Sequence, residues 1–206
     1  PLVLVPTEFG TNADIFFMGY ECFDGVPLDR LIREKQQLSL KDFFSIACGI
    51  VRALCGIHEA GIVHGGIKPN NVLVNRDTLE VRLIDLVSTV DVSDVSHFIY
   101  DRDFIRETLA YTSPEQTGRI SHRVTFASDL YSLGVVFYEM LSRRLPFYSD
   151  DPLELIHSHL AQEAPALHEI DKSIPPTLGR IVAKLMLKEP EKRYQSSKSL
   201  LNDLDR

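Results

Sequence analysis

The side chains that could do chemistry fall into a few groups, and spacing excludes most of them. Cys22, Cys48 and Cys55 match no zinc signature. Cys48 and Cys55 lie two turns apart on one helical pattern, about 10 Å between Cα atoms, which is beyond disulfide reach. They are expected as buried thiols of a reducing, cytoplasmic compartment, with the exposure of Cys22 left open. His157 and His159 stand two apart on a helix, face different sides and cannot grip one metal ion together. Both are expected at the surface. Asp150-Asp151 precedes a helical segment and suits its N-terminus better than a metal. What remains is His64-Gly65-Gly66-Ile67-Lys68-Pro69-Asn70-Asn71, followed by Asp85, a polar and glycine-rich run between apolar elements.

The surrounding patterns show what must position that run. Residues 2–9 and 15–20 predict two strands joined by a Gly-Thr-Asn turn. A short amphipathic helix is expected over about 28–35. Ser39 followed by Asp42 predicts a capped helix start. Leu40, Phe43, Phe44, Ala47, Ile50, Val51 and Leu54 then hold the i, i+3, i+4, i+7 spacing until Gly61. Val72–Val74 and Val81–Ile84 predict a small two-stranded ribbon. Residues 88–113 show no sustained period, as functional loops often do. Phe126 to Leu141 is apolar on every side and should be a buried central helix. Amphipathic segments follow at about 152–162, 176–187 and 196–205, separated by prolines.

Composition restricts the function further. The 206 residues can enclose one sizeable core, and 44% apolar with 25% charged content is ordinary for a globular domain. A formal charge of −7 argues against a nucleic-acid surface and against contact with anionic membranes. No apolar run reaches the roughly 18 residues of a membrane span. The chain opens in mid-pattern at Leu2-Val3-Leu4, so a domain cut from a longer protein is expected.

At this point specific motifs can be read. His64-Gly65-Gly66-Ile67-Lys68-Pro69-Asn70-Asn71-Val72-Leu73 resembles the protein-kinase catalytic loop, H-R-D-L-K-P-x-N-x-L. Leu83-Ile84-Asp85-Leu86-Val87 resembles the metal-binding D-F-G triplet in degenerate form. Thr108 to Glu115 is similar to the end of an activation segment. Ser128-Asp129-Leu130-Tyr131-Ser132-Leu133-Gly134 and Pro190-Glu191-Lys192-Arg193-Tyr194 match two further kinase segments. Tyr111 to Arg119, with its Gln-Thr-Gly-Arg extension, more narrowly resembles the kinase-like N-terminal domain of hybrid histidine kinases of fungi and bacteria.

The resemblance implies a mainly α fold, the large C-terminal lobe of a protein kinase with a short two-stranded ribbon. Residues 1–20 would be the last two small-lobe strands, 21–27 the hinge, and 28–206 the helical lobe. The glycine-rich loop, strand lysine and helical glutamate would lie upstream. It further implies ATP and Mg²⁺ as cofactors, Asn71 and Asp85 as metal ligands, and Leu73 beside the nucleotide. Lys68 would reach the γ-phosphate. Glu115 and Arg193 would form a buried ion pair, Asp129 would hold the catalytic loop, Thr108 would support the activation segment, and His64 and Leu86 would stack in a hydrophobic spine.

Two positions depart from the pattern. The base carboxylate is replaced by Gly66, and removal of a general base typically forfeits about 10²–10⁴-fold in rate. Gly65 replaces the arginine that receives a loop phosphate, so bidentate phosphate capture is lost. Ser88, Thr89, Ser93 and Ser96 therefore have no evident receiver if modified. The sequence favours a regulatory pseudokinase domain of a multidomain signalling protein, a hybrid histidine kinase in a phosphorelay. Its partners would be other domains of the parent chain or a signalling protein. The alternative is an active ATP-dependent Ser/Thr kinase.

Overall fold

The computed structural model describes residues 2–4, 6–12, 15–34, 38–86 and 107–206. Val87 and the loop serines and threonine named above lie outside them. Two strands open the fold, β1 (Pro6–Asn12) and β2 (Ile15–Tyr20), paired antiparallel with Asn12 opposite Ile15. Gly10, Thr11 and Asn12 therefore belong to the strand rather than to the expected turn. The apolar run before them does something else. Val3 bridges Leu83 in parallel, with hydrogen bonds from Leu4 N to Leu83 O and from Leu83 N to Leu2 O. A buried strand edge offered backbone partners that a hairpin would have left unpaired.

β3 (Val26–Pro27) leads directly into α1 (Leu28–Glu34), which buries Leu28, Leu31 and Ile32. α2 (Leu40–Glu59) follows, with the Ser39 hydroxyl accepting from Asp42 N, and it ends just before Gly61. Its stripe from Phe43 to Ile57 is buried, while Leu40 in the first turn is exposed. The expected ribbon is three-stranded: β4 (Val72–Val74) pairs with both β5 (Val81–Leu83) and β3. β3 was missed because a strand of two residues has no readable period.

α3 (Phe126–Ser142) is the axis of the helical part, buried from Ser128 through Tyr138. Thr125 and Ser128 cap it reciprocally, two orphan donors satisfied by two side chains. The Phe43 and Phe137 rings meet edge to face at 5.4 Å, joining α2 to α3. α4 (Pro152–Ala161), α5 (Leu167–Ile170), α6 (Pro176–Leu185) and α7 (Ser197–Leu204) complete the fold. Asp151 caps α4 by accepting from Leu153 N. α6 lies close on α3 because Gly134 has no side chain: a Cβ there would meet Leu185 at 2.7 Å. α7 packs back on α2.

His159 is a correction. It is buried at 1% exposure, whereas His157 is exposed. Four residues after Leu155 it shares the inward face of α4, and its ring stands edge-on to Tyr131 and Phe147. Among the cysteines Cys48 is buried, Cys55 is partly buried and Cys22 is exposed. Among the described residues no helix is long and apolar enough to cross a membrane.

Candidate functional site

The antiparallel register of β4 and β5, Val72 opposite Leu83, carries two residues to the same end of the ribbon. Ile84 N donates to Asn71 O at 3.0 Å, so Asn71 and Asp85 stand beside each other. Asn71 closes a single 3-10 turn, Pro69–Asn71, and its Nδ2 donates to Gly66 O at 2.9 Å. Its Oδ1 is thereby left as the acceptor of that amide. Asp85 adopts φ of +56°, a left-handed conformation that is costly for a residue with a Cβ and clusters at functional positions. Tyr20 at the end of β2 donates to the Asp85 carboxylate at 3.3 Å. Leu73 is half-buried, on the opposite face from the buried Val72 and Val74.

One expectation of the spine is not met in full. Leu86 is exposed, at 37%, rather than buried as a spine residue would be. His64 itself is fully buried, and its Nδ1 accepts from Gly66 N at 3.3 Å. Burial pushes its pKa down, so the ring is held neutral.

Asp129, in the first turn of α3, accepts from His64 N and Gly65 N, both at 2.8 Å. Its carboxylate also meets His58 Nε2 at 2.9 Å, and His58 Nδ1 meets the Ser197 hydroxyl at 2.7 Å. Phe126 stacks on the His58 ring at 4.5 Å. Gly65 itself takes φ of +73°, where a side chain is disfavoured. Gln116 completes the support: its Nε2 donates to Gly65 O at 2.8 Å while its Oε1 accepts from Ser113 N. The Gln-Thr-Gly-Arg extension thus supplies a strut between the activation segment and the loop.

Below this lies the ion pair of Glu115 and Arg193, with N···O distances of 2.6 and 3.0 Å and both side chains fully buried. Arg193 also donates to the carbonyls of Leu187, Ala127 and Lys188, and Ser128 donates to Glu115. Every charge-assisted bond that such a pair needs is present. Lys188 lies alongside, its amine 4.6 Å from the Phe147 ring centre and within reach of Tyr131 Oη. Burial, reinforced by Arg193, pushes its pKa down to about 8.

On the other side of the loop Lys68 Nζ donates to Thr108 Oγ1 at 3.4 Å. The next contact along is Asn70 with Glu107, Nδ2 to Oε2 at 3.3 Å; with the amide turned over, Asn70 reaches Asp29 instead, at 3.1 and 3.2 Å. A cavity of about 200 Å³ opens here, lined among others by Asp29, Lys68, Asn70, Glu107, Tyr111 and Glu139. Tyr111 donates to Glu139 at 2.6 Å, and burial raises the pKa of both groups. Tyr20, His58, Glu107 and Gln116 were not singled out as site residues. Only Gln116 had left a sequence signal, as part of the extension after Pro114-Glu115.

Among the described residues no group of three or more His, Cys, Asp or Glu could hold a metal ion. Mg²⁺ needs no such cage: it prefers oxygen donors and is commonly held by one or two carboxylates plus nucleotide phosphates. The Asp85 carboxylate and the Asn71 side-chain oxygen fit that demand.

Comparison with known proteins gives one consistent result. The model of the protein kinase domain family matches residues 4–203. A probable serine/threonine-protein kinase of Clostridium perfringens is 31% identical over 207 residues, 100% of this chain and 29% of that protein. Hybrid signal transduction histidine kinase G of Dictyostelium discoideum is 32% identical over 235 residues, 82% of this chain and 7% of that protein. The chain thus spans less than a third of the length of these relatives. In fold, it superimposes on the crystal structure of the Mycobacterium tuberculosis PknI kinase domain with a TM-score of 0.72 at 17% identity, covering 100% of this chain and 71% of the other.

Proposed function

Because the chain belongs to the protein kinase domain family, we propose that it is the large lobe of an ATP-dependent serine/threonine protein kinase. The observation that carries this reading is the juxtaposition of Asn71 and Asp85 through the Ile84–Asn71 hydrogen bond, with Asp85 in a strained backbone conformation. Those two residues would hold Mg²⁺, which when bound neutralises charge on the nucleotide phosphates. Lys68, aimed at Thr108, is the cation that meets the transferring phosphate. Leu73 contributes the apolar surface beneath the nucleotide. Asp129, Gln116 and Asn71 hold the backbone of the loop, and positioning is most of what phosphoryl transfer asks of a protein.

The test is transfer from γ-labelled ATP to myelin basic protein by the full-length protein. Asp85→Asn is expected to lower the rate by at least about 10²-fold with the melting temperature unchanged. Equal rates for the two proteins would remove the reading.

A second reading is favoured by Gly66 and Gly65. A domain without a loop carboxylate or a phosphate-receiving arginine suits a regulatory pseudokinase, acting on other domains of a hybrid histidine kinase in a cytoplasmic phosphorelay. It predicts nucleotide binding with no transfer.

A further inference from the structure

Gly66 leaves the catalytic loop without a proton acceptor, but a carboxylate approaches the same loop from the activation segment. We propose that Glu107 supplies the carboxylate that orients the acceptor hydroxyl and takes its proton. This rests on the kinase reading and deepens it.

Two consecutive contacts tie residues 107–108 to residues 68–70. Thr108 Oγ1 lies 3.4 Å from Lys68 Nζ, and Glu107 Oε2 lies 3.3 Å from Asn70 Nδ2. Glu107 therefore lies along the loop beside the lysine that meets the phosphate, and it lines the cavity that Lys68 also lines. The other carboxylates of that cavity are engaged differently. Asp29 is ion-paired with Arg33, and Glu139 accepts from Tyr111 at 2.6 Å. Among the described residues Glu107 is exposed and makes no ion pair; its neighbour is the neutral Asn70 amide, which donates to it in one orientation and to Asp29 in the other. An exposed carboxylate of this kind can turn towards an incoming alcohol without breaking an ion pair.

Gly66 N is engaged with His64 Nδ1 and Gly66 O with Asn71 Nδ2, so its backbone is held while no side chain projects from it. Gly66 is also absent from the glycines with positive φ, unlike Gly65, so a side chain there meets no left-handed backbone strain.

In the step itself the acceptor oxygen forms its bond to the γ-phosphorus while the bridging β–γ O–P bond breaks, its electron pair leaving on ADP. The hydroxyl proton passes to the Glu107 carboxylate and from there to water. In a loose transition state the proton moves late, so a carboxylate that orients the hydroxyl is the main requirement.

The full-length protein, γ-labelled ATP and myelin basic protein test this. Glu107→Gln keeps the size and the amide contact while removing the proton acceptor. Its kcat is expected to fall about 10²-fold or more, with KM for ATP and for the acceptor protein unchanged. Gly66→Asp is expected to raise kcat about 10²-fold in the Glu107→Gln background but far less in wild type, whereas a merely structural role for Glu107 would give the same gain in both. An unchanged kcat in Glu107→Gln overturns the assignment while leaving the kinase reading intact. So does a raised KM for the acceptor with kcat unchanged, which would make Glu107 a peptide anchor. A wild-type protein that transfers nothing until Gly66→Asp is introduced overturns both.

Discussion

The foundation under the catalytic loop and the loop itself have opposite character. In the foundation, Glu115, Arg193, Ser128 and Asp129 are all but fully buried, and their charges are matched by side chains or carbonyls. In the loop, two consecutive glycines offer no side chain at all, and what is held is backbone. The difference separates two requirements of a phosphotransferase. Placing a loop needs buried, satisfied polar networks, which tolerate no partial loss. Moving a proton needs one oxygen in reach, which another segment of the chain can provide.

Removing one partner from the foundation should do the greatest damage. Arg193→Ala leaves the Glu115 carboxylate buried without its guanidinium and should cost about 3–5 kcal/mol in urea unfolding. A loss under about 1 kcal/mol would show that the foundation is less essential than its geometry implies.

The neighbouring His159 gives a pH-dependent version of the same comparison. Burial, with Lys188 adding to it, pushes its pKa down to about 3 from an ordinary 6.5. Between those values the unfolded chain binds a proton that the folded one refuses. Stability should therefore fall as pH drops from about 6.5 towards 3, by about 1.4 kcal/mol per pH unit from this residue. His159→Phe should flatten that part of the urea-midpoint profile, and an unaltered slope would mean that the ring is protonated in the fold.

The smallest effects should come from the loop, and there the two glycines should differ. Gly65→Ala puts a Cβ on a residue at φ of +73° and should cost about 1–2 kcal/mol. Gly66→Ala meets no such strain and should be neutral or stabilising by under about 1 kcal/mol. Equal melting shifts would contradict the backbone assignment.

Much of the frame could be read along the chain because its causes are local. The all-round apolar run from Phe126 marked the buried axis, and Ser39 with Asp42 marked the start of α2. The loop residues were legible through their order, His64 to Asn71 and then Asp85. What escaped depends on distant partners. Gln116 meets Gly65 across 51 residues, and Tyr20 meets Asp85 across 65. His159 looked like surface because two histidines two apart say nothing about which faces the core; Tyr131 and Phe147 decide it. Leu86 looked like spine from its place after Asp85, and its exposure could not be read from the residue type.

The most direct test of phosphotransfer is a single-turnover measurement on the full-length protein with γ-labelled ATP. Comparing wild type with Asn71→Ala asks whether the side chain that ties Gly66 to the end of the loop matters to chemistry. Label on Ser or Thr of the acceptor protein, lost in Asn71→Ala, is the predicted result. Bound nucleotide with no transferred label in wild type would contradict it.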